Sequence, residues 1–380
     1  MDSWRVELVP NSYKEDKAYR RDDSEPYERS EDIIFRQNSL KWHIKVTFRG
    51  QNGIRTWKNK LARKKALERL IFLIDFSSLP LLVDTVTELV VERSWFFSFF
   101  RRLPTKVMDS SAGSLTDRFW TYSIQEDESR VRYPPCEAYS GLPMAELSDI
   151  QKEREILDNV FFVSWKGQSC IYKTVYRFFY DPSYTTKFEK EVSYIRLFRG
   201  VPNIAQLLAI VTSQTPFKTN IQEDGPHVVT GILLEYYQNG TLEEAIDQRD
   251  GRGCSWKSWP KQLALALSTL HCFGVTHMDI KPANVVINAA NEAVLIDIGV
   301  GYTYELSAPE IRQVIDPFGL PFETRRKCDL WSFGMLLIEM AQLDGSDAFG
   351  IKLREIGRKL TDPKPTARPS LAEVIHSLDS

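Results

Sequence analysis

The sequence lacks paired cysteine motifs and long apolar runs. Its five cysteines are odd in number and show no C-x-x-C spacing, which argues against a disulfide framework and against a zinc site. No run of about 18 apolar residues is present, so no membrane-spanning helix is expected. Reduced, unpaired cysteines are typical of a reducing compartment.

The sequence also lacks an excess of charge of either sign. The 49 Lys and Arg residues nearly balance the 51 Asp and Glu residues, and the net charge is −2. Such a balance indicates neither nucleic acid nor an acidic membrane as a partner. The N-terminus has no apolar segment like that of a signal peptide, and these absences together predict an intracellular, cytoplasmic protein.

Length and composition allow two domains of ordinary size. The chain has 380 residues, and an apolar fraction of 43% is sufficient for a core. Residues 1–31 are dense in charge and are predicted to be disordered, and residues 32–130 are predicted to form a mixed α/β extension of unknown role. Residues 131–146 contain prolines and a glycine and are predicted to be a linker, which leaves 147–380 as the main domain.

Two strands and two helices are predicted near the start of the N-terminal extension. Residues Asp32–Arg36 and Lys41–Phe48 are predicted to be strands, the second with apolar residues at alternate positions. Helical spacing of apolar residues predicts a first helix from Trp57. The same spacing predicts a second helix over 82–93, after Pro80.

Two further features of the extension leave alternatives open. A basic cluster opens the first helix and indicates either a contact with nucleic acid or anionic lipid or, as we prefer, a solvated helix face. Its members are Arg55, Lys58, Lys60, Arg63, Lys64, Lys65 and Arg69. An aromatic run at 95–100 favours a place in a core over an interfacial membrane anchor.

The stretch around which the rest of the chain is organised runs from His277 to Gly299. Two short apolar runs within it flank a polar turn and predict a β-hairpin. A hairpin brings its open ends together, so Asn284 before the first strand should lie beside Asp297 after the second. Two oxygen ligands at one point suit Mg²⁺, which usually shares its shell with substrate phosphates. Asp279 should face the same point and accept a proton from an attacking hydroxyl, which is phosphoryl-transfer chemistry.

Residues 277–284, HMDIKPAN, resemble the catalytic loop of eukaryotic protein kinases. The tripeptide Asp297-Ile298-Gly299 resembles their metal-binding Asp-Phe-Gly. The resemblance covers residues 150–380 and is greatest to a divergent protein-kinase-like family of filamentous fungi. It implies an α+β, bilobal protein-kinase-like fold with a small β-rich N-lobe and a helical C-lobe. It also implies ATP and Mg²⁺ as cofactors, with Asp279 and Lys281 catalytic and with Asn284 and Asp297 holding the metal.

A lysine and a glutamate upstream extend the resemblance. Lys173 ends a tetrapeptide similar to the V-A-I-K of the family, and it lies on a predicted strand before a predicted helix. The resemblance implies that Lys173 binds the α- and β-phosphates and that Glu191 on the helix orients it. Glu189 is an alternative partner with poorer spacing. Without the catalytic loop downstream, Lys173 would be interpreted as an exposed lysine on a strand edge.

The segment 233–242, LLEYYQNGTL, resembles the hinge between the kinase lobes. The resemblance implies that backbone groups of Glu235 and Tyr237 bind an adenine. Further downstream, it implies that Glu310 pairs with Arg368 and that Asp329 bonds the amides of the catalytic loop. The last two roles are structural, so they support the fold more than the activity.

The pattern departs from the family in three places. No glycine lies between Gly141 and Gly167, where a glycine-rich loop should close over the phosphates, and Asp158 in that region would repel phosphate. Met278 replaces the arginine that commonly receives an activation-loop phosphate, so that switch should be absent. The segment 297–310 is short and reduces the platform for an extended peptide.

The sequence therefore predicts ATP- and Mg²⁺-dependent phosphoryl transfer to serine or threonine of a protein substrate. Lys281, two residues after Asp279, and Thr303 occupy the positions typical of serine/threonine kinases. Two alternatives remain open. A pseudokinase that serves as a binding module is favoured by the missing glycines, and a small-molecule phosphotransferase is favoured by the short segment before Glu310. Fold alone does not separate these activities.

Overall fold

The structure is a computed structural model that describes residues 4–16, 26–50, 59–93, 102–105, 120–176, 180–248, 253–343 and 348–380. The chain divides into two compact units. The first unit consists of Met1–Arg132 and Ser213–Val228, and the second of Tyr133–Thr212 and Val229–Ser380. Most of the predicted linker, residues 133–146, thus lies in the second unit. The domain bounds drawn from the sequence remain a proposal.

The first unit is built on a six-stranded sheet. Its strands are β1 Trp4–Leu8, β2 Lys14–Glu15, β3 Glu28–Gln37, β4 Leu40–Arg49, β5 Val86–Arg93 and β6 Trp120–Glu126. They lie in the order β1-β3-β4-β5-β6, with β2 paired to β3. The pair β4–β5 is parallel and the others are antiparallel. A parallel pair needs a crossover, and the chain between them contains helix α1, Lys60–Leu73.

Alternate residues of the sheet form the core of the first unit. Ile33 of β3 lies opposite Ile44 of β4, and Val46 lies opposite Leu89 of β5. These four side chains are buried in one apolar cluster, to which α1 contributes Leu67 and Ile71. The alternation predicted for Lys41–Phe48 is thereby confirmed.

Two expectations for the first unit differ from the structure. Trp4–Leu8 lies within the segment predicted to be disordered, yet it forms β1, because its backbone pairs with β3. Residues 86–93, predicted as helix, form β5 instead. β5 is central, with Leu89, Val90 and Val91 all buried, and a strand buried on both faces does not show the alternation that reveals most strands. The aromatic run at 95–100 lies outside the described residues.

Two members of the basic cluster form ion pairs inside the first unit. Arg63 is buried, and its Nε lies 2.8 Å from Glu15 Oε1. Lys64 Nζ lies 3.6 Å from Glu31 Oε1 and 3.6 Å from Glu68 Oε1. These contacts support a structural role for two of the cluster's members, whereas residues 55 and 58 lie outside the described residues.

A short segment from later in the chain completes the first unit. Residues 213–228 connect two strands of the second unit, and their backbone bonds to the chain around β4. The Lys41 N–H donates to the Thr219 carbonyl at 2.8 Å, and the Ile221 N–H donates to the Ser39 carbonyl at 3.0 Å. Asp84 and Thr219 exchange two hydrogen bonds of 2.8 Å between side chain and backbone.

The second unit has a β-rich lobe and a helical lobe. The strands of the β-rich lobe are β7 Met144–Glu146, β8 Ile150–Leu157, β9 Val160–Trp165, β10 Gln168–Thr174, β11 Leu207–Gln214 and β12 His227–Glu235, in the order β7-β11-β12-β10-β9-β8. Helix α2, Ser183–Leu197, connects β10 to the strands that follow it. The predicted strand–turn–strand at 161–176 and the helix after it are confirmed.

The described part of the helical lobe contains five α-helices and a small hairpin. The helices are α3 Leu242–Asp247, α4 Trp259–Cys272, α5 Phe322–Met340, α6 Ala348–Leu360 and α7 Leu371–Asp379, and the hairpin strands are β13 Val285–Ile287 and β14 Ala293–Leu295. Buried residues of α4, α5 and the hairpin share one apolar core. This core supports the polar loops before and after the hairpin. Among the described residues, no helix has the length and apolar character needed to cross a membrane.

Candidate active site

The hairpin β13–β14 brings together the two ends of the catalytic stretch, as the sequence predicts. The Ile296 N–H donates to the Asn284 carbonyl at 3.1 Å, so Asn284 and Asp297 occupy neighbouring positions at the open end. The Gly299 N–H donates to the His277 carbonyl at 3.0 Å. The Asp-Ile-Gly segment is thereby attached to the start of the catalytic loop.

Lys173, near the end of β10, lies between two carboxylates. Its Nζ is 2.6 Å from Glu191 Oε1 on α2 and 2.9 Å from Asp297 Oδ1, whereas Glu189 is exposed. Burial lowers the pKa of Lys173, but the charges of Asp297 and Glu191 outweigh burial and raise it above its ordinary value. The charge of Lys173 in turn lowers the pKa of Asp297. Both groups are therefore charged at neutral pH.

Asp279 is buried, and neighbouring side chains hold its carboxylate. Asn284 Nδ2 donates to Asp279 Oδ2 at 2.9 Å and to the Asp279 carbonyl at 2.8 Å. Lys281 Nζ lies 2.9 Å from the same Oδ2 and donates to Thr303 Oγ1 at 2.8 Å. A Cβ added at Gly301 would lie 2.6 Å from Asp279 Oδ2 and would displace the carboxylate. Three separate positions, Asn284, Lys281 and Gly301, thus converge on Asp279.

Asp329 on α5 holds the backbone of the catalytic loop from beneath. Its Oδ2 accepts from the His277 N–H at 2.8 Å, and its Oδ1 accepts from the Met278 N–H at 2.7 Å. Met278 has a φ of 70°, and these two bonds stabilise that left-handed conformation. Burial lowers the pKa of His277. Its Nε2 donates to the Ile296 carbonyl at 2.9 Å and its Nδ1 accepts from the Asp279 N–H at 3.3 Å, a pattern that fits a neutral ring.

An ion pair expected from the sequence is present near the end of the chain. Arg368 is buried, and its guanidinium donates to both carboxylate oxygens of Glu310, at 2.6 and 2.9 Å. A bidentate pair of this kind has a fixed geometry. It attaches the segment after Asp297 to the base of the helical lobe.

The predicted hinge follows β12. The Glu235 N–H donates to the Gln206 carbonyl at 3.1 Å, and the Gln206 N–H donates to Tyr237 Oη at 3.2 Å. These bonds hold the hinge against the chain that enters β11. The roles of Glu235 and Tyr237 in binding adenine stay predictions.

A two-residue turn, Asp158-Asn159, joins β8 to β9 where the family has its glycine-rich loop. Asn159 adopts a φ of 67°. Its N–H donates to Glu155 Oε1 at 3.1 Å, and its carbonyl accepts from the Thr174 N–H at 3.0 Å. These backbone groups are engaged within the protein, whereas those of a glycine-rich loop point at phosphate.

Phe162 belongs to the same face of the sheet as Lys173, although no motif marks it in the sequence. Phe162 lies opposite Ile171, which also lies opposite Leu234. Since side chains alternate between the faces of a strand, these residues and Lys173 share one face. The Phe162 ring lies 4.8 Å from the ring of Tyr236 in the hinge, edge to face. Phe162 lies two residues after Val160 on the same strand, and this alternation is the sequence signal that could have placed it on the face of Lys173.

Asn284 and Asp297 suit a hard cation in ligand type. Asn284 Nδ2 donates to Asp279, and Asn284 Oδ1 is the atom that could serve as a metal ligand. The side chain of Asp297 is 39% exposed and presents an open carboxylate. Carboxylate and amide oxygens are the ligands that Mg²⁺ prefers. In the part of the chain that the structure describes, no group of three or more His, Cys, Asp or Glu side chains converges as a metal site.

Comparison with known proteins agrees with this geometry. A family model for the protein kinase domain matches residues 160–345. Mitogen-activated protein kinase kinase 9 of Arabidopsis thaliana is 29% identical over 124 residues, which are 29% of this chain and 38% of that protein. The serine/threonine-protein kinase Kist of Homo sapiens is 27% identical over 172 residues, which are 40% of this chain and 39% of that protein. The chain thus spans about two-fifths of the length of these relatives.

The range matched by the family model contains all eight residues that were predicted from the sequence as site residues. They are Lys173, Glu191, Glu235, Tyr237, Asp279, Lys281, Asn284 and Asp297. The relatives named here come from a plant and a mammal, and the resemblance to a fungal family stays a prediction. The family-model match over residues 160–345 and the kinase relatives support the eukaryotic protein kinase superfamily for this part of the chain.

Proposed function

We propose that this chain is a serine/threonine protein kinase that transfers the γ-phosphoryl group of Mg·ATP to a protein hydroxyl. The observation that carries the proposal is the charged Lys173, held between Glu191 and Asp297 at 2.6 and 2.9 Å. A lysine oriented by a helix glutamate is the group that binds the α- and β-phosphates in this superfamily.

Asp279 accepts the proton of the substrate hydroxyl. The hydroxyl oxygen forms a bond to the γ-phosphorus while the bond from that phosphorus to the leaving ADP oxygen breaks. Asn284 holds the Asp279 carboxylate at 2.9 Å, and Lys281 lies 2.9 Å from the same oxygen. The positive charge of Lys281 also offsets the negative charge that develops on the phosphoryl group during transfer.

Asn284 and Asp297 are the residues that would hold Mg²⁺ against the phosphates. When bound, the ion neutralises negative charge on the β- and γ-phosphates. Asp297 remains ionised because Lys173 lowers its pKa, so it is ready to bind a cation. The bond from Asn284 Nδ2 to Asp279 couples the metal-binding position to the proton acceptor.

Serine and threonine are the proposed acceptors. Lys281 donates to Thr303 at 2.8 Å, and this contact attaches the activation segment to the catalytic loop beside Asp279. The lysine two residues after the catalytic aspartate is the placement of serine/threonine kinases. The relative Kist is named a serine/threonine-protein kinase, which supports the same class.

The test compares wild-type protein with Asp279→Asn in transfer of labelled phosphate to a protein extract at millimolar ATP. Removing the proton acceptor should cost on the order of a hundredfold or more in rate. Mg·ATP binding, measured by calorimetry, should be nearly unchanged because Asp279 acts on the hydroxyl. Equal labelling by both proteins would show a contaminating activity and would remove the support for this mechanism.

A pseudokinase is the second candidate, and one observation favours it. The backbone groups of Asn159 are engaged within the protein, so the turn after β8 offers less to the phosphates than a glycine-rich loop. Wild-type protein that binds Mg·ATP without transferring label would support this reading. Label that appears only in the small-molecule fraction would instead support a small-molecule phosphotransferase, as the short segment 297–310 suggests.

A further inference from the structure

Helix α2, which carries Glu191, also contacts the chain that follows the short activation segment. Lys190 Nζ lies 4.4 Å from the ring centroid of Phe318 and 5.8 Å from that of Tyr194. Cation–π contacts act within about 6 Å and are strongest where the cation is desolvated. Burial, with a smaller contribution from Arg325, lowers the pKa of Lys190, which agrees with such an environment.

Phe318 connects α2 to the catalytic loop. Its ring packs on an apolar cluster, called here the Met278 cluster, whose buried members are Met278, Ala308, Ile311 and Cys328. Met278 is the chain neighbour of Asp279 and is only 5% exposed. The side chain that replaces the phosphate-binding arginine of the family is therefore buried among apolar groups, where a phosphate could not be received.

The same turn of α2 touches the Asp-Ile-Gly segment. A Cβ added at Gly299 would lie 2.5 Å from Tyr194 Cε2, so the Tyr194 ring lies against the Gly299 backbone. Lys190 and Tyr194 are four residues apart and share one helix face, beside Glu191. Contacts with the Met278 cluster and with Gly299 thus fix the helix turn that orients Lys173.

The threonine and serine hydroxyls of the activation segment, those of Thr303 and Ser307, are already engaged. Thr303 accepts from Lys281 at 2.8 Å. Ser307 is buried and donates to the Tyr304 carbonyl at 2.6 Å. Modification of either hydroxyl would break a contact that the structure uses.

We propose that Phe318 and Met278 are positioning residues that hold α2, and with it the Lys173–Glu191 pair, in its binding arrangement. Apolar and cation–π contacts perform here the task that a phosphate on the activation segment performs where an arginine precedes the catalytic aspartate. The inference rests on the proposed function in one respect only, namely that the arrangement serves nucleotide binding. The position of α2 itself can be measured without any activity.

The experiment uses the full chain with two substitutions of the same residue. Phe318→Leu keeps an apolar side chain but removes the aromatic ring, and Phe318→Tyr keeps an aromatic ring. The matched control is Phe349→Leu, which removes another ring of the helical lobe that contacts a lysine. Lys257 Nζ lies 6.0 Å from the centroid of the Phe349 ring. Hydrogen exchange reports the opening of α2, the ATP dependence of transfer reports KM and kcat, and calorimetry reports overall stability.

Phe318→Leu should raise the exchange rate of α2 amides about tenfold, which lies within the range expected for losing one desolvated cation–π contact. It should also raise the KM for ATP more than it lowers kcat. In Phe318→Tyr and in Phe349→Leu, both the exchange rate of α2 amides and the KM for ATP should stay close to the wild-type values. If α2 exchanges equally in Phe318→Leu and Phe349→Leu, the positioning role is overturned.

The outcome for α2 is independent of the outcome for turnover. Wild-type protein without any phosphoryl transfer would end the proposed function, while faster exchange in Phe318→Leu alone would still support the positioning role. Conversely, active wild-type protein with unchanged α2 exchange in Phe318→Leu would leave the kinase in place and overturn the inference.

Discussion

Each of the two units contains a lysine between two carboxylates, and the two groups differ in how the carboxylates are satisfied. In the first unit, Lys45 Nζ lies 3.3 Å from Glu88 Oε1 and 3.0 Å from Asp127 Oδ1. Thr47 donates to Glu88 at 2.6 Å, and Gln125 donates to it at 2.7 Å. Bonds from neighbouring strands thus satisfy this carboxylate.

Lys173 in the second unit has the same arrangement of charges, but one of its carboxylates is open. The Asp297 side chain is 39% exposed, whereas both carboxylates beside Lys45 are 8% exposed. Asp297 also adopts a φ of 59°, a conformation that clusters at functional sites. Exposure and backbone conformation, rather than charge, therefore distinguish the Lys173 group, which is proposed to bind a ligand, from the Lys45 group, which stabilises a sheet.

Substitution of Lys45 should have the largest effect on stability. Lys45→Met leaves the carboxylates of Glu88 and Asp127 without their cation. Removing one partner of a buried ion pair lowers the free energy of unfolding by about 3 to 5 kcal/mol. The free energy of unfolding, measured in urea, should fall accordingly. The increase in Tm on adding Mg·ATP should be retained. Loss of that increase would mean that Lys45 also serves the nucleotide site and would break the comparison.

The corresponding change in the second unit should act on ligand binding instead. Lys173→Met removes the cation proposed to bind phosphate, and Mg·ATP affinity should fall roughly tenfold or more, which corresponds to about 1.4 kcal/mol. Asp297→Asn, which changes charge without changing shape, should weaken binding in the same direction. Calorimetric titration provides the measurement, with Lys45→Met as the matched control. Unchanged affinity in both variants would refute the proposed site.

A smaller effect is expected where residues 213–228 join the first unit. Asp84→Ala removes the acceptor for the Thr219 N–H at 2.8 Å and should cost about 1 kcal/mol of stability. Asp84 has a φ of 55°, which Asn tolerates well, so Asp84→Asn should cost less. Urea unfolding of both variants provides the measurement. Because Asn keeps both the acceptor oxygen and the tolerance of positive φ, equal losses would indicate that the charge of Asp84, rather than the hydrogen bond or the backbone conformation, sets the effect.

The smallest change is expected from removing phosphate. The proposed contacts of Met278 leave no receptor for a phosphate beside Asp279, so phosphatase treatment should leave the transfer rate unchanged. The rate is measured before and after treatment, with the phosphatase removed before the assay. A large loss that rephosphorylation of Thr303 restores would contradict this prediction.

The catalytic stretch could be predicted because its contacts are local. Asn284 and Asp297 are joined by a hairpin whose two strands are close in the sequence, and turn residues between apolar runs specify such a hairpin. The pairing of Lys173 with Glu191 was predicted from the resemblance to the kinase family, and the two residues lie on consecutive elements, β10 and α2. Local spacing also placed β3 and β4 correctly.

Tertiary structure decided the features that depend on which surfaces become buried together. β5 was predicted as a helix because burial on both faces removes its alternation. Residues 213–228 belong to the first unit through backbone bonds to Ser39 and Lys41, which no local pattern encodes. The contact of Lys190 with Phe318 joins a helix to a distant loop. The sequence by itself determined the residue types of the site and their local geometry, whereas long-range packing decided what holds that geometry in place, because distant segments meet only when the chain has folded.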